Sequence, residues 1–523
     1  MKSPTKKNDF QGILLAIFIY ALLFVVFLFN FFDTDDYSMQ SSALAIDGMS
    51  GIDFAIHYGN GRFLGNLALY FFNYYPVIRM FVKPLVLTVL IVCMNYVFEI
   101  KTLYGKIATA LLIILPSSGF YAKCYSSNPC IMNYVAPLAN VFFCFALMKF
   151  IAVRKRTVNA LLYAILFVAS ICMQFYSENA TIVFLTTAIF LIVYKFVTEK
   201  KIVARYILFF LGGVIGAALM FIVPEHIGYS VIDESVMANY RHIIINIPYA
   251  VGVVAKFAEY FSTAAVWIMI FGVVLIYIVL KESPDDKFKL WHIVFAAAYP
   301  LVCLFYKFTQ TEEAKVISSV KLFLMLLMFA FLLNAVIIFV RFVHDIKIKV
   351  YSLFGVFALA MSVGMFMILN QHGYRTFYLS LIIFASLTLY LVHYAVNKYD
   401  IRPEIKKQNV LNITAVAVML CVAILLPLQT IQNYDVFVMR QEYVTDKISQ
   451  GDTLIYVPKV PNKSLVRDEF LDFYKDYFTK DSKNVEIKFV DIEDWEKFEE
   501  YQSMMDNPVS SISYAVSHLD FSN

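Results

Sequence analysis

The stretch GILLAIFIYALLFVVFLFNFF, residues 12–32, runs without a break into DTDDY, residues 33–37. It carries no charge until Asp33 and is long enough to cross ~30 Å of hydrocarbon, which takes roughly 20 apolar residues. Lys2, Lys6 and Lys7 precede it, as they would the start of a secretory signal. The run is too long for the apolar core of a signal, and no small-residue cleavage site follows. It is therefore read as a retained first helix that leaves the N-terminus in the cytoplasm and delivers an acidic cluster to the outer face.

The rest of the chain repeats the pattern. Of the 523 residues, 60% are hydrophobic, 17% aromatic and only 16% charged, more apolar surface than a water-soluble core can bury. Lipid must be the solvent, and each long apolar run must be a helix, because backbone groups in hydrocarbon need partners within the chain. About thirteen spans are predicted: 12–32, 77–98, 106–120, 134–153, 157–176, 180–197, 206–223, 263–280, 290–306, 321–340, 350–369, 375–395 and 410–430. The weakest is 106–120, short and interrupted by Pro116. With these spans the basic clusters Arg154-Lys155-Arg156, Lys200-Lys201, Lys287 with Lys289, Lys347 with Lys349, and Lys406-Lys407 all fall inside. The fold class expected is an all-α polytopic membrane protein of the cytoplasmic membrane, with the C-terminus outside.

Residues 1–430 form the transmembrane domain in this reading, with outer segments 33–76, 121–133, 224–262 and 307–320. Two of these segments carry helix-period aromatics: Phe63, Leu67, Tyr70, Phe71 and Tyr74, then Tyr240, Ile244, Tyr249, Val253, Phe257 and Tyr260. Both are expected to lie in the membrane interface. After Thr430 the composition turns polar. Strands at 453–457 and 485–490 and helices at 465–477 and 492–501 predict a small extracytoplasmic α/β domain, 431–523. Five of the seven cysteines sit within apolar helices as small hydrophobes; Cys124 and Cys130 share one outer segment, as thiols or as a disulfide.

Candidate chemistry lies at the outer boundary. Asp33, Asp35 and Asp36 are three carboxylates within four residues, either a solvated helix end or a site in which crowding makes one of them a general base. In Gly59-Asn60-Gly61-Arg62-Phe63-Leu64-Gly65-Asn66, glycines on both sides of Arg62 let the chain bring a guanidinium to an anion such as phosphate, the alternative being a turn with a solvent-facing Arg. Arg241, Arg375, His372 and Glu178 add polar groups to the same face, each also readable as a headgroup contact or a polar turn. Ionisable residues deep within the spans are few, which argues against an ion-coupled transporter. No nucleotide loop, zinc spacing or nucleophile elbow occurs in a fitting context, and no basic stretch points to nucleic acid.

The layout resembles the GT-C superfamily of membrane glycosyltransferases: a first helix leaving into a long outer loop that opens on a carboxylate pair, about a dozen helices and an outer C-terminal domain. Asp35-Asp36-Tyr37, Asn60-Gly61-Arg62-Phe63-Leu64-Gly65-Asn66 and His372-Gly373-Tyr374-Arg375 look similar to a bacterial group that itself resembles O-antigen and teichoic-acid glucosyltransferases. The resemblance covers the membrane part alone. It implies inverting transfer of a sugar from a polyprenyl-phosphate-linked donor to a glycan or teichoic-acid-type acceptor outside. Asp35 or Asp36 would be the base, and Arg62, Arg241 or Arg375 would hold the phosphate, with Asn60, Glu178 and His372 as further substrate contacts. Phosphate leaves readily, so no cofactor is required; a divalent metal at Asp33-Thr34-Asp35 is the lower-ranked option. The rival functions are a surface-polysaccharide polymerase or ligase, which concentrates its arginines in one late loop, and a lipid-linked oligosaccharide flippase or other transporter, which needs charge in its central cavity.

Overall fold

The computed structural model describes residues 5–31, 36, 50–57, 61–153, 159–222, 247–282, 287–309, 318–367, 373–401, 404–466, 485–505 and 507–519. Its helices begin with α1 (Thr5–Leu28), α2 (Gly51–His57), α3 (Phe63–Tyr74), α4 (Pro76–Val97), α5 (Leu103–Ile114) and α6 (Ser118–Cys124). Next, α7 (Asn128–Cys130) passes through a π-turn at Ile131–Val135 into α8 (Ala136–Val153). Then come α9 (Asn159–Cys172), α10 (Glu178–Glu199), α11 (Ala204–Phe221), α12 (Ile247–Ser262), α13 (Ala265–Glu282) and α14 (Lys289–Thr309). After α15 (Ser318–Phe342), α16 (Ile346–Gly364), α17 (Tyr374–Lys398) and α18 (Ile405–Ser449), the chain ends in β1 (Leu454–Pro458), β2 (Glu486–Val490), α19 (Phe498–Met505) and α20 (Pro508–Ser517).

Among the described residues, eleven helices are long and apolar enough to cross a membrane, so the chain is an all-α polytopic membrane protein in outline. Two expected spans are occupied by shorter apolar helices, Leu103–Ile114 and Ala160–Cys172. The 12 residues of α5 rise ~18 Å, well short of the hydrocarbon thickness. The chain stops being helical at Leu115–Ser117, where Pro116 lacks the N–H a helix needs, and starts again as α6 on a Ser117 cap that accepts from Phe120 N.

Two compact units make up the chain: Met1–Val92, Leu103–Ala136 and Leu411–Asn523 form the first, and Cys93–Thr102 with Pro137–Val410 the second. In the first unit the segment 121–133, expected as an outer connection between spans, is helical except at 125–127 and almost wholly buried. Its mix of aromatics with Ser, Asn and Cys reads as polar in sequence. Both Cys124 and Cys130 are buried within this segment.

The first unit also joins the two ends of the chain. Phe31, just past α1, stacks on Phe437 with centroids 4.4 Å apart, and Phe29 meets Tyr434 edge-on at 5.8 Å. The shift in composition at Thr430 does not break the backbone, because α18 runs straight through it for 45 residues. Its rise of ~68 Å is about twice the hydrocarbon thickness. The first part is largely exposed and apolar, as lipid contact requires, while Val436 to Arg440 are buried against the C-terminal elements. Asn433 and Asn462 bond reciprocally at 3.0 and 2.9 Å, Tyr434 donates to His518 O, and Ser511 bonds Asp435. Strands β1 and β2 pair in parallel, Ile455 opposite Ile487 and Val457 opposite Phe489. The helix expected at 492–501 is a 3-10 turn, Ile492–Asp494, followed by α19; most of the one expected at 465–477 lies outside the described residues.

Tight helix pairs hold the second unit. Lipid provides no hydrophobic drive between helices, so small residues that let backbones approach do the work. A Cβ on Gly212 of α11 would lie 2.7 Å from Phe167 O of α9, and one on Gly216 only 2.4 Å from Ile171 O. Gly272 of α13 stands in the same relation to Ala296 O of α14, at 2.7 Å. The helix expected at the interface, α12, buries Val253, Phe257 and Phe261 in the unit, with Phe257 5.1 Å from Phe377 and Phe261 4.8 Å from Phe384. Amphipathicity foretold the apolar stripe, and that stripe packs on the protein.

Candidate functional site

Among the described residues four acidic or basic side chains are fully buried, and all belong to the first unit: Asp36, Lys83, Asp435 and Arg440. The first two meet the same piece of backbone. α6 ends at Cys124 and α7 begins at Asn128, and the turn between them exposes peptide groups that no helix satisfies. Asp36 Oδ1 accepts from Asn128 N at 3.0 Å. Two residues back, Ser126 O accepts from both Lys83 Nζ and Asn30 Nδ2, each at 2.8 Å. The Lys83 ammonium also stands 5.0 Å from the Phe27 ring centroid.

Asp36 and Lys83 are each 1% exposed, so their desolvation is nearly complete. A buried carboxylate survives there because it accepts a backbone N–H at the start of the continuous helix 128–153, where the peptide dipoles favour an anion. Around this turn, polar atoms outnumber partners. Asn30 Oδ1, Ser127 Oγ, Asn128 Nδ2 and Asn133 Oδ1 are buried and make no hydrogen bond among the described residues. Each such atom costs roughly 1–3 kcal/mol when left unmade, so a cluster of them is the signature of a site that receives a polar ligand or water.

The second motif supplies one wall. Gly61 takes a φ of 71°, in the left-handed region that favours glycine, and Arg62 stands as the N-cap of α3, half-buried, with its carbonyl accepting from Asn66 N at 2.8 Å. At Gly65 a Cβ would fall 2.1 Å from Asn133 Oδ1. That glycine is needed because the helix of the loop lies directly on the π-turn, and Asn66 beside it is buried. The aromatic stripe of α3 stays partly exposed, with Tyr70 and Tyr74 4.5 Å apart and Phe71 open, while Leu69, Phe72 and Asn73 face the unit.

The structure thus places Asp36 and Arg62 in one unit, Asp36 against the first residue of α7 and Arg62 at the N-cap of α3. Glu178 opens α10 and Arg375 is the second residue of α17, after Gly373, whose N–H is taken by Thr376 Oγ1 at 2.9 Å; both are half-buried and belong to the second unit. Asp33, Asp35, Asn60, Arg241 and His372 lie outside the described residues. Sequence reasoning missed Lys83. The signal was present, a lysine some 10 Å along an apolar span, where ionisable groups are expensive enough to ask for a partner. It also missed the role of Asn128 and Asn133, which read as loop polarity until the segment proved to be helical.

Comparison of the chain with protein-family models and with curated proteins finds no match to either.

Proposed function

We propose that this chain is a membrane glycosyltransferase that moves a sugar from a polyprenyl-phosphate-linked donor to a cell-envelope acceptor on the outer side of the cytoplasmic membrane, with its C-terminal α/β portion outside. The observation that carries the reading is a buried carboxylate, Asp36, beside a turn whose amide and hydroxyl atoms make no hydrogen bond among the described residues. A sugar presents alternating donors and acceptors and suits such a set. In the reaction the acceptor hydroxyl oxygen bonds to the anomeric carbon as the bond from that carbon to phosphate oxygen breaks. The bonding pair leaves with polyprenyl phosphate, and the hydroxyl proton passes to a carboxylate oxygen of Asp36. Arg62, at the edge of the same unit, is the group suited to the departing phosphate.

The test is transfer of labelled sugar from a polyprenyl-phosphate donor into the envelope acceptor in membranes that carry the protein. Asp36→Asn keeps the shape and the Asn128 contact but removes basicity, so transfer should fall by roughly 10²–10⁴-fold at unchanged expression. Undiminished transfer in that variant would remove Asp36 from the chemistry.

A further inference from the structure

The second unit contains a cavity of about 490 Å³, a volume within the range of roughly 300–1,000 Å³ of small-molecule sites. It is long. On α8 its lining extends from Leu138 to Ala152, and on α17 from Leu379 to Tyr390. Fourteen and eleven residues of helix rise ~21 and ~16 Å, so both walls run much of the way along their helices. Phe142, Phe145, Phe184, Phe190 and Phe354 make the body of the slot apolar, with Phe190 stacked on Phe354 at 3.9 Å.

One end differs. Lys149 near the end of α8, Arg205 at the start of α11 and Lys347 at the start of α16 line it together with Tyr206, Tyr351 and Tyr390. Lys149 is already engaged, by Glu99 at 2.9 Å and by the carbonyls of Tyr96 and Val97. Arg205 and Lys347 are not: neither forms an ion pair among the described residues. The carboxylates nearby are occupied, Glu199 by Lys195 and Asp345 by the backbone N–H groups of Lys347 and Ile348. Tyr390 lines the same end, and its buried hydroxyl makes no hydrogen bond among the described residues.

We infer that this cavity is a binding site for an amphiphile with a phosphate headgroup and a single apolar chain. The chain occupies the phenylalanine slot, the phosphate lies against Arg205 and Lys347, and the Tyr390 hydroxyl donates to a phosphate oxygen. An apolar slot in a bilayer takes up chains, and two cations that form no ion pair among the described residues, beside the Tyr390 hydroxyl, select an anionic head over a neutral one. A lysophospholipid and a polyprenyl phosphate both have this chemistry. The site is separate from Asp36 and stands whether or not the chain transfers sugar.

The experiment is native mass spectrometry of the delipidated protein titrated with hexadecyl phosphate and, separately, with hexadecyl maltoside. Hexadecyl phosphate should bind one-to-one, and Arg205→Gln with Lys347→Gln, two changes at partly exposed helix starts, should weaken it at least tenfold. Ser386→Trp, which fills the slot, should abolish binding while leaving the melting temperature within a few degrees of wild type. Equal binding of the uncharged maltoside, or unchanged affinity in the double glutamine variant, overturns the inference. Competition by lysophosphatidic acid against undecaprenyl phosphate then assigns the source: tenfold preference for the isoprenoid identifies a donor-type lipid, and the reverse a membrane phospholipid.

Discussion

The buried pair at the 126–128 turn makes a demanding prediction. The Lys83 ammonium is 2.8 Å from Ser126 O and the Asp36 carboxylate 3.0 Å from Asn128 N, at opposite ends of a three-residue turn, and neither side chain is more than 1% exposed. Lys83→Met replaces the cation by an apolar chain of similar length and takes one donor from the buried Ser126 carbonyl, so it should destabilise the first unit by ~1–3 kcal/mol. Asp36→Asn still accepts from Asn128 N through its amide oxygen, so the backbone contact survives and the cost should stay near ~1 kcal/mol. Both groups hold the same three-residue turn, so their effects should couple in the double variant by ~0.5–3 kcal/mol. Equilibrium unfolding in detergent, followed by tryptophan fluorescence or circular dichroism for all four proteins, gives the cycle. Single-variant effects that add to within ~0.5 kcal/mol would mean that the two side chains do not act on one turn, and the shared-turn account would fall.

Three further outcomes follow from particular contacts. Gly216→Val places carbon where the nearest backbone oxygen is 2.4 Å away, so α9 and α11 must part, at a cost of ~1–3 kcal/mol read as a lower unfolding midpoint; an unchanged midpoint would refute the close packing. The hydrogen bond from Lys149 holds the Glu99 carboxyl below its ordinary value of 4.5, a depressed folded-state pKa, so its contribution is present above that pH and is lost as pH falls through the lowered value. Stability curves of wild type and Glu99→Gln should therefore differ at neutral pH and converge in acid once the pH has fallen through the lowered value, and curves parallel throughout would contradict the pairing. Alkaline phosphatase fused after Gly451, past the end of α18, should be active and fused after Arg156 inactive, whereas the reverse pattern would invert the proposed topology and remove the outer site.

The helices were legible because apolar runs bounded by charge have few alternatives in lipid, and Pro116 marked the place where one of them stops. What sits between helices was harder to read. Composition could not show that 121–133 folds inward, since Ser126, Ser127, Asn128 and Asn133 have the same chemistry in an outer loop as in a buried turn. Asp36 stood out by its place after the first helix, but its contact is to a backbone group 92 residues further on, and no local pattern encodes that distance. Gly65 and Arg62 were noticed as a flexible anion grip; the structure gives Gly65 the different task of admitting Asn133. Around Thr430 α18 passes from largely exposed apolar residues to buried ones without a change of backbone, because helical hydrogen bonding is indifferent to what surrounds it.

Sugar transfer dependent on Asp36 is the central claim. Its most direct measurement is the fate of a polyprenyl-phosphate sugar incubated with the purified protein and an envelope glycan acceptor, with lipid and glycan products separated by chromatography. Release of polyprenyl phosphate should equal the sugar gained by the acceptor, and both should fall together by roughly 10²–10⁴-fold in Asp36→Asn. Donor lipids consumed at the same rate by wild type and Asp36→Asn, or left intact by folded wild type across a panel of sugars and acceptors, would contradict it.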